Sequence, residues 1–137
     1  EVLGCDVYVA GVPEAIYASR GHTVTCAPRF NFSELLPCAR VFVHHGGQNS
    51  MMDALSYEVP QLIVSGRVFE RQFNAEAVES ARCGLTVRKP KPALIARAAR
   101  ALLDEPALTS GIRGLREELS SLGGAARIVR EVEKLIS

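Results

Sequence analysis

The sequence predicts an α/β domain, a parallel sheet of about five strands flanked by helices and followed by a helical C-terminal section. Three observations carry this. Short apolar runs alternate with helical stretches as far as Val87, an order that favours parallel strands with helices on the faces of the sheet. The stretch from Val41 to Leu55 reads as a buried strand, a glycine turn and a helix start. Past Pro90 and Pro92 the strand signal disappears and apolar residues recur only at helical spacing.

Taken in order, Val7 to Ala10 is a short apolar strand, and Pro13 to Arg20 is expected to be a loop or brief helix closed by Gly21. His22 to Cys26 is the second strand, ended by Pro28, which has no N–H for a ladder. Ser33 is placed to cap a short helix containing Leu35 and Leu36, which stops at Pro37. Val41 to His44 is the third strand. In the helix beyond the glycines, Met51, Leu55 and Val59 fall near one face, and Val59-Pro60 ends it before the strand Gln61 to Val64. After a loop, Phe73, Ala77, Val78 and Ala81 give the next helix an apolar stripe; Gly84 closes it and Leu85 to Val87 is the fifth strand. Three terminal helices follow from the spacing of Leu94, Ala98 and Leu102, of Ile112, Leu115, Leu119 and Leu122, and of Ile128, Val132, Leu135 and Ile136.

Composition narrows the function. A chain of 137 residues, 47% hydrophobic and 23% charged, is long enough for one core and short for two. Its net charge of +1 exerts no broad pull on nucleic acid or anionic membrane, so anion recognition must be local. No apolar run approaches the roughly 20 residues of a bilayer span, and no signal peptide is visible. Cys5, Cys26, Cys38 and Cys83 form no Cys-x-x-Cys pair and lie near no histidine cluster, which argues for reduced thiols in a cytoplasmic protein and against a metal site.

The glycine turn concentrates the chemistry. Gly46 and Gly47 allow close backbone approach to a ligand, although a tight turn alone would use the same pair. The first N–H groups of the following helix lack partners within it, so that end can hold a phosphate. Asn49 and Ser50 add donors there, a role compatible with capping. Asp53 lies one turn beyond Ser50, either as a solvated helix residue or as an acceptor for two ribose hydroxyls. Strand alternation sends one of His44 and His45 into the core and the other toward the opening. There is no Gly-x-Ser-x-Gly elbow, P-loop lysine or Gly-x-Gly-x-x-Gly fingerprint.

At these residues the chain resembles the nucleotide-sugar-dependent glycosyltransferases of the two-Rossmann-domain (GT-B) type, specifically their C-terminal, donor-binding half. Their His-x-Gly-Gly-x-x-Ser/Thr stretch is matched by His44 or His45 through Ser50, and their following acidic residue by Asp53. Their Gly-Val-Pro corresponds to Glu58-Val59-Pro60, and their Asp-Gln before an Asn-Ala helix start is similar to Glu70-Arg71 before Asn74-Ala75. The doubled histidine and Val-Pro-Gln-Leu look most like bacterial enzymes that glycosylate antibiotics and other natural products.

The resemblance implies a Rossmann-like domain that takes a UDP- or TDP-sugar as co-substrate, with no other cofactor. It places His45, Gly46, Gly47, Asn49 and Ser50 on the phosphates, leaves His44 for packing and puts Asp53 on the ribose. Where the family carries Trp-x-Pro-Gln beneath the base, this chain has Cys26-Ala27-Pro28-Arg29, so Arg29 stands beside the base and Phe30 is either a substitute ring or a core or lid aromatic. Glu70 and Arg71 replace the sugar-contacting pair, and Arg71 either bonds a ligand carboxylate or phosphate or forms a surface ion pair with Glu70 or Glu76. The acceptor's base belongs to the family's N-terminal domain, so no catalytic residue is assigned here.

Glu1-Val-Leu-Gly reads as the tail of a helix running into the strand Asp6 to Ala10. The resemblance then implies that one strand, one helix and the whole acceptor domain precede it. The expected partners are the sugar donor and, through that missing domain, a small-molecule acceptor. An uncovered sheet edge and apolar surface favour self-association as a homodimer. Alternatives are a stand-alone nucleotide-sugar-binding subunit that works with a separate chain and, more remotely, a sugar-nucleotide epimerase.

Overall fold

A strand covered on both faces must be apolar at consecutive rather than alternate positions, and in the strand Gln61–Ile63 the neighbours Leu62 and Ile63 meet that condition, both wholly buried. The computed structural model describes residues 4–19 and 21–136, so the helix tail expected over Glu1 to Leu3 lies outside the described residues. In chain order the elements are β1 (Val7–Ala10), β2 (Ala15–Ser19), β3 (His22–Ala27), α1 (Phe32–Leu35) with a 3-10 turn over Leu36–Cys38, β4 (Phe42–His44) and α2 (Gln48–Ser56). They continue through β5 (Gln61–Ile63), α3 (Phe69–Ser80), β6 (Gly84–Thr86), α4 (Pro92–Asp104), a 3-10 turn over Pro106–Thr109, α5 (Ile112–Ser121) and α6 (Gly124–Ile136).

Strand β5 lies between β4 and β6, and both pairings are parallel. Adjacent residues of a strand point to opposite faces. Ile63 therefore meets Leu55 of α2, Ala75 and Val78 of α3, Cys83 and Ile112 of α5, while Leu62 meets Val87 and, from α4, Ala99 and Leu102. The expected parallel sheet with helices on both faces and a helical C-terminal section is present. Among the described residues no helix is long and apolar enough to cross a membrane.

The sheet differs from the expectation in extent. Among the described residues six strands form, divided between two three-stranded sheets. In the second sheet β1 runs parallel to β3 and β2 antiparallel to it. Strand β2 occupies the stretch expected as a loop or brief helix. Ile16 and Tyr17 favour extended backbone, and Gly21, at φ +83°, lies in the two-residue connection between the paired Ser19 and His22. Asp6 secures the start of β1, its Oδ1 accepting from the Thr23 N–H at 2.8 Å and the Thr23 hydroxyl at 3.1 Å.

Helix ends hold further corrections. Asn31, not Ser33, caps α1, and its side chain accepts from the Ser33 N–H at 3.2 Å. Pro37 does not stop the chain's winding, because it sits near the start of the 3-10 turn, where its missing N–H is not needed. Helices α2 and α3 end in the same way, at a non-glycine residue in the left-handed region, Glu58 at φ +56° and Arg82 at φ +53°. Behind them Val59 N–H reaches Ala54 O at 2.8 Å and Cys83 N–H reaches Val78 O at 2.9 Å, satisfying carbonyls that a helix end leaves open.

Gly84 therefore does not close α3. It opens β6, where a Cβ would stand 2.0 Å from the Gln61 carbonyl oxygen, so glycine is what lets β6 lie against β5. The buried face of α3 is also turned from the expected one. Asn74, Ala75 and Val78 are inside and Phe73 is 65% exposed.

Two substitutions separate these roles. Gly84→Ala should destabilise the fold by about 3 kcal/mol, the upper end for overpacking, because the obstructing atom is backbone. Arg82→Gly should stabilise it by about 0.5–1 kcal/mol through relief of the left-handed conformation. Urea unfolding midpoints of both variants against the parent check the opposite signs.

Candidate functional site

Residues 45–47 connect the end of β4 to α2, and their conformation is dictated from three directions. Gly46 has φ +90°, and a Cβ there would lie 2.8 Å from Ile63 Cγ2 and 3.1 Å from the Arg71 carbonyl oxygen. Its N–H donates to His44 Nδ1 at 3.1 Å, and its carbonyl accepts from Asn74 Nδ2 at 2.9 Å. The Val64 N–H donates to the His44 carbonyl at 2.8 Å, so the end of β4 is tied to the chain leaving β5. The turn thus lies at the C-terminal ends of the parallel strands, where open α/β sheets present their crevice.

The two histidines have separate environments. His44 is 9% exposed and stacks on Phe42 at 4.9 Å. Because its Nδ1 accepts from Gly46, the proton resides on Nε2, which donates to Gln61 Oε1 at 3.0 Å. Burial lowers its pKa; the Gln61 bond opposes that, and the neighbouring His45 adds to it. His45 is exposed, with its ring over Gly47: a Cβ on Gly47 would meet His45 Nε2 at 2.7 Å.

Helix α2 begins at Gly47 with no side-chain cap, and its first internal bond is Met51 N–H to Gly47 O at 3.1 Å. The N–H groups of Gln48, Asn49 and Ser50 consequently have no partner within the helix. Asn49 is exposed, Ser50 half-buried, and Asp53 exposed one turn on. Helix α3 also starts without a side-chain cap, and its Arg71 backbone abuts Gly46. Glu70 is exposed and Arg71 half-buried. Arg71 makes no ion pair among the described residues, and Glu76 pairs instead with Arg88 at 3.1 Å.

His45, Gly46, Gly47, Asn49, Ser50, Asp53, Glu70 and Arg71 are therefore carried by one locked turn and the two helices that start beside it. Arg29 is in the exposed segment after β3, and no hydrogen bond or ion pair among the described residues ties it to that turn. Phe30 packs edge-on against Tyr8 at 5.7 Å. Sequence reasoning assigned no role to Gln61 or Asn74, the residues that hold His44 and Gly46. Their signal was a polar residue inside an apolar strand and another inside a helix stripe, each at a position that only a buried partner explains.

The Gly46 bond requires His44 to stay neutral, since a proton on Nδ1 would remove the acceptor for the Gly46 N–H. With its folded pKa lowered, the unfolded chain takes up that proton first, so stability should be level above pH 7 and fall as pH drops below the ordinary imidazole value of about 6.5. Urea midpoints across that range should show the fall in the parent and a shallower one in His44→Gln.

Residues 11–135 match the family described as "Erythromycin biosynthesis protein CIII-like, C-terminal domain". The elloramycin glycosyltransferase of Streptomyces olivaceus is 37% identical over 94 residues, 69% of this chain and 23% of that protein. Among solved structures, spinosyn forosaminyltransferase SpnP superposes with a TM-score of 0.80 at 26% identity, covering 94% of this chain and 35% of that one. Glycosyltransferase VinC in complex with dTDP gives 0.75 at 26% identity, over 81% and 28%. The chain spans about a quarter of the length of the curated relatives it matches. With its parallel sheet, its strand–glycine–helix turn and this match along nearly its whole length, the chain belongs to the erythromycin biosynthesis protein CIII-like C-terminal domain family of GT-B glycosyltransferases.

Proposed function

We propose that the chain is the donor-binding half of a glycosyltransferase that moves a sugar from a UDP- or TDP-sugar to a hydroxyl of a small natural product. The observation that carries this reading is the uncapped start of α2 behind the locked Gly46 turn, an anion site made of backbone N–H groups. The relatives are named as glycosyltransferases of antibiotics and similar compounds, and VinC was solved with a nucleoside diphosphate.

In this reading the diphosphate lies on Gly46, Gly47, Asn49 and Ser50, with His45 beside it and Asp53 accepting from the ribose. Glu70 and Arg71 face the sugar from the start of α3, and Arg29 approaches from the base side. As the bond to the anomeric carbon breaks, negative charge grows on the departing nucleoside diphosphate. Helix N–H dipoles and His45 stabilise that charge without having to reorganise, which is where such sites gain rate. The donor is the co-substrate, and no further cofactor is invoked. The acceptor's base and the facing wall of the cleft belong to the rest of a longer enzyme.

Ser50→Ala should remove one phosphate donor and Asp53→Ala the ribose acceptor, each weakening binding of a nucleoside diphosphate by about 1–3 kcal/mol. Calorimetric titration with dTDP and UDP measures this, and unchanged affinity in both variants would reduce the two residues to structural roles.

The 137-residue chain by itself should show no sugar transfer. Holding donor and acceptor together supplies on the order of 7–11 kcal/mol in favourable cases, and half a cleft cannot hold both. Incubation with nucleotide sugars and an acceptor library, followed by mass spectrometry, is the check. Turnover near 1 per second or faster, ordinary for an enzyme, would require a base within these residues.

A further inference from the structure

Beneath the Gly46 turn, His44 reaches back along its own strand. Its ring stacks on Phe42 with centroids 4.9 Å and planes 28° apart, and Phe42 in turn packs against Phe32 at 5.3 Å. The stack fixes the plane of the imidazole, and the freedom that remains is which nitrogen carries the proton. The Gly46 N–H can only donate, so its 3.1 Å bond to Nδ1 exists only while Nδ1 is bare. A neutral imidazole then donates from Nε2, and Gln61 Oε1 is the acceptor at 3.0 Å. The carbonyl side of the Gly46 peptide involves no such choice, because the Asn74 amide nitrogen that meets it at 2.9 Å is a donor in every state. One half of the lock is unconditional, and the other depends on Gln61.

Gln61 sits against the ordinary rules of a core. It is wholly buried in the central strand of its sheet, where its N–H donates to the Cys83 carbonyl at 3.1 Å and its own carbonyl lies against Gly84. Turning Oε1 toward His44 leaves Nε2 with no hydrogen-bond partner among the described residues. An orphaned amide destabilises a core that methionine, of nearly the same length, would fill without that penalty. A polar group kept against stability is explained by what its bonded end does. Here the bonded end meets the imidazole under the anion turn. Gln61 opens β5, paired with Phe42, whereas the crevice lies at the other end of the strands, so Gln61 itself is out of reach of a ligand on the turn.

We propose that Gln61 is a positioning residue for donor binding: it selects the His44 tautomer whose bare Nδ1 holds the Gly46 N–H, and so keeps the turn in the conformation that faces the first N–H groups of α2 outward. The proposal rests on the donor-binding reading above. Without an acceptor at Nε2, the imidazole is released to take the other tautomer, in which Nδ1–H and the Gly46 N–H are two donors facing one another. The Gly46 peptide is then held on its carbonyl side alone, and the helix start that receives the diphosphate loses its fixed orientation.

Calorimetric titration of the parent, Gln61→Met, His44→Asn and the double variant with dTDP and UDP tests this. Asparagine places Oδ1 where the imidazole places Nδ1, one bond from Cγ, and so offers the Gly46 N–H an acceptor that needs no tautomer. Gln61→Met alone should weaken binding about three- to tenfold, the worth of one ordinary hydrogen bond, with a urea midpoint close to the parent's because the orphaned amide goes with the bond. On the His44→Asn background the same change should alter affinity by less than about twofold, the mark of a coupled pair. Long-range proton–nitrogen NMR spectra, with the His44 signals assigned by their loss in His44→Asn, should show the Nε2–H tautomer alone in the parent and a mixture in Gln61→Met. Unchanged affinity in Gln61→Met, equal losses on both backgrounds, or a single tautomer persisting in Gln61→Met overturns the proposal. A loss of affinity that only tracks a fallen midpoint overturns it too, since Gln61 would then be structural. A parent that binds neither nucleotide would defeat the donor reading instead, and the tautomer spectra would still decide whether Gln61 sets the turn.

Discussion

The peptide unit at Gly46 is held from both sides, its N–H by His44 and its carbonyl by Asn74, in a conformation and a space open only to glycine. Three elements depend on that arrangement. His44 is the last residue of β4, Asn74 lies one turn inside α3, and Gly47 is where α2 starts. A buried hydrogen-bonding group left without its partner costs about 1–3 kcal/mol, so the strand end and both helix starts are registered against one another by the same few bonds. Because the side-chain bonds at Gly46 are directed inward, the N–H groups that open α2 remain free to face outward.

The same economy of partners governs the core. Strand β5 buries Leu62 and Ile63 on opposite faces, and the helices that cover them come from well-separated parts of the chain. Helices α2 and α3 reach their places through left-handed corners at Glu58 and Arg82, a conformation that costs a non-glycine residue roughly 1–2 kcal/mol. Both corners are where α5 is fastened. Arg116 reaches Glu58 at 2.6 Å, and the Gly111 N–H donates to the Arg82 carbonyl at 3.0 Å. Gly111 sits so close to the end of α3 that a Cβ would meet the Ala81 carbonyl at 1.7 Å. The strain is thus placed where it sets the docking of the next helix.

Function in such a domain comes from unfinished structure. Two helices begin without side-chain caps beside the same turn, and Asp53, Glu70 and Arg71 present charges that no protein group neutralises among the described residues. Local rules of helix design would cap these ends and would keep an arginine out of the first turn of α3, where it opposes the helix dipole. Violations of that kind collect where a ligand completes the arrangement. The nucleoside diphosphate proposed for this site, an anion with hydroxyl groups near it, has the chemistry that would complete it.

The sequence by itself determined the α/β class, the strand–glycine–helix turn and the three terminal helices, because each is written in a local period or a local backbone requirement. It also separated the two histidines in principle, since alternation sends only one inward; Gln61 and Gly46, distant or newly folded partners, are what made that one His44. What only the tertiary structure decided depends on contacts between remote segments. Strand β2 forms because β3 offers it an edge; the extended preference of Ile16 and Tyr17 is local and does not announce that partner. The phase of α3 is turned by Asn74, polar by type but interior by virtue of a bond to a residue 28 positions away. Gly84 reads locally as a helix terminator, yet its role is set by the Gln61 carbonyl of the neighbouring strand. A periodic pattern records which side chains avoid water, and it cannot record which polar groups will find a partner once remote parts of the chain have met.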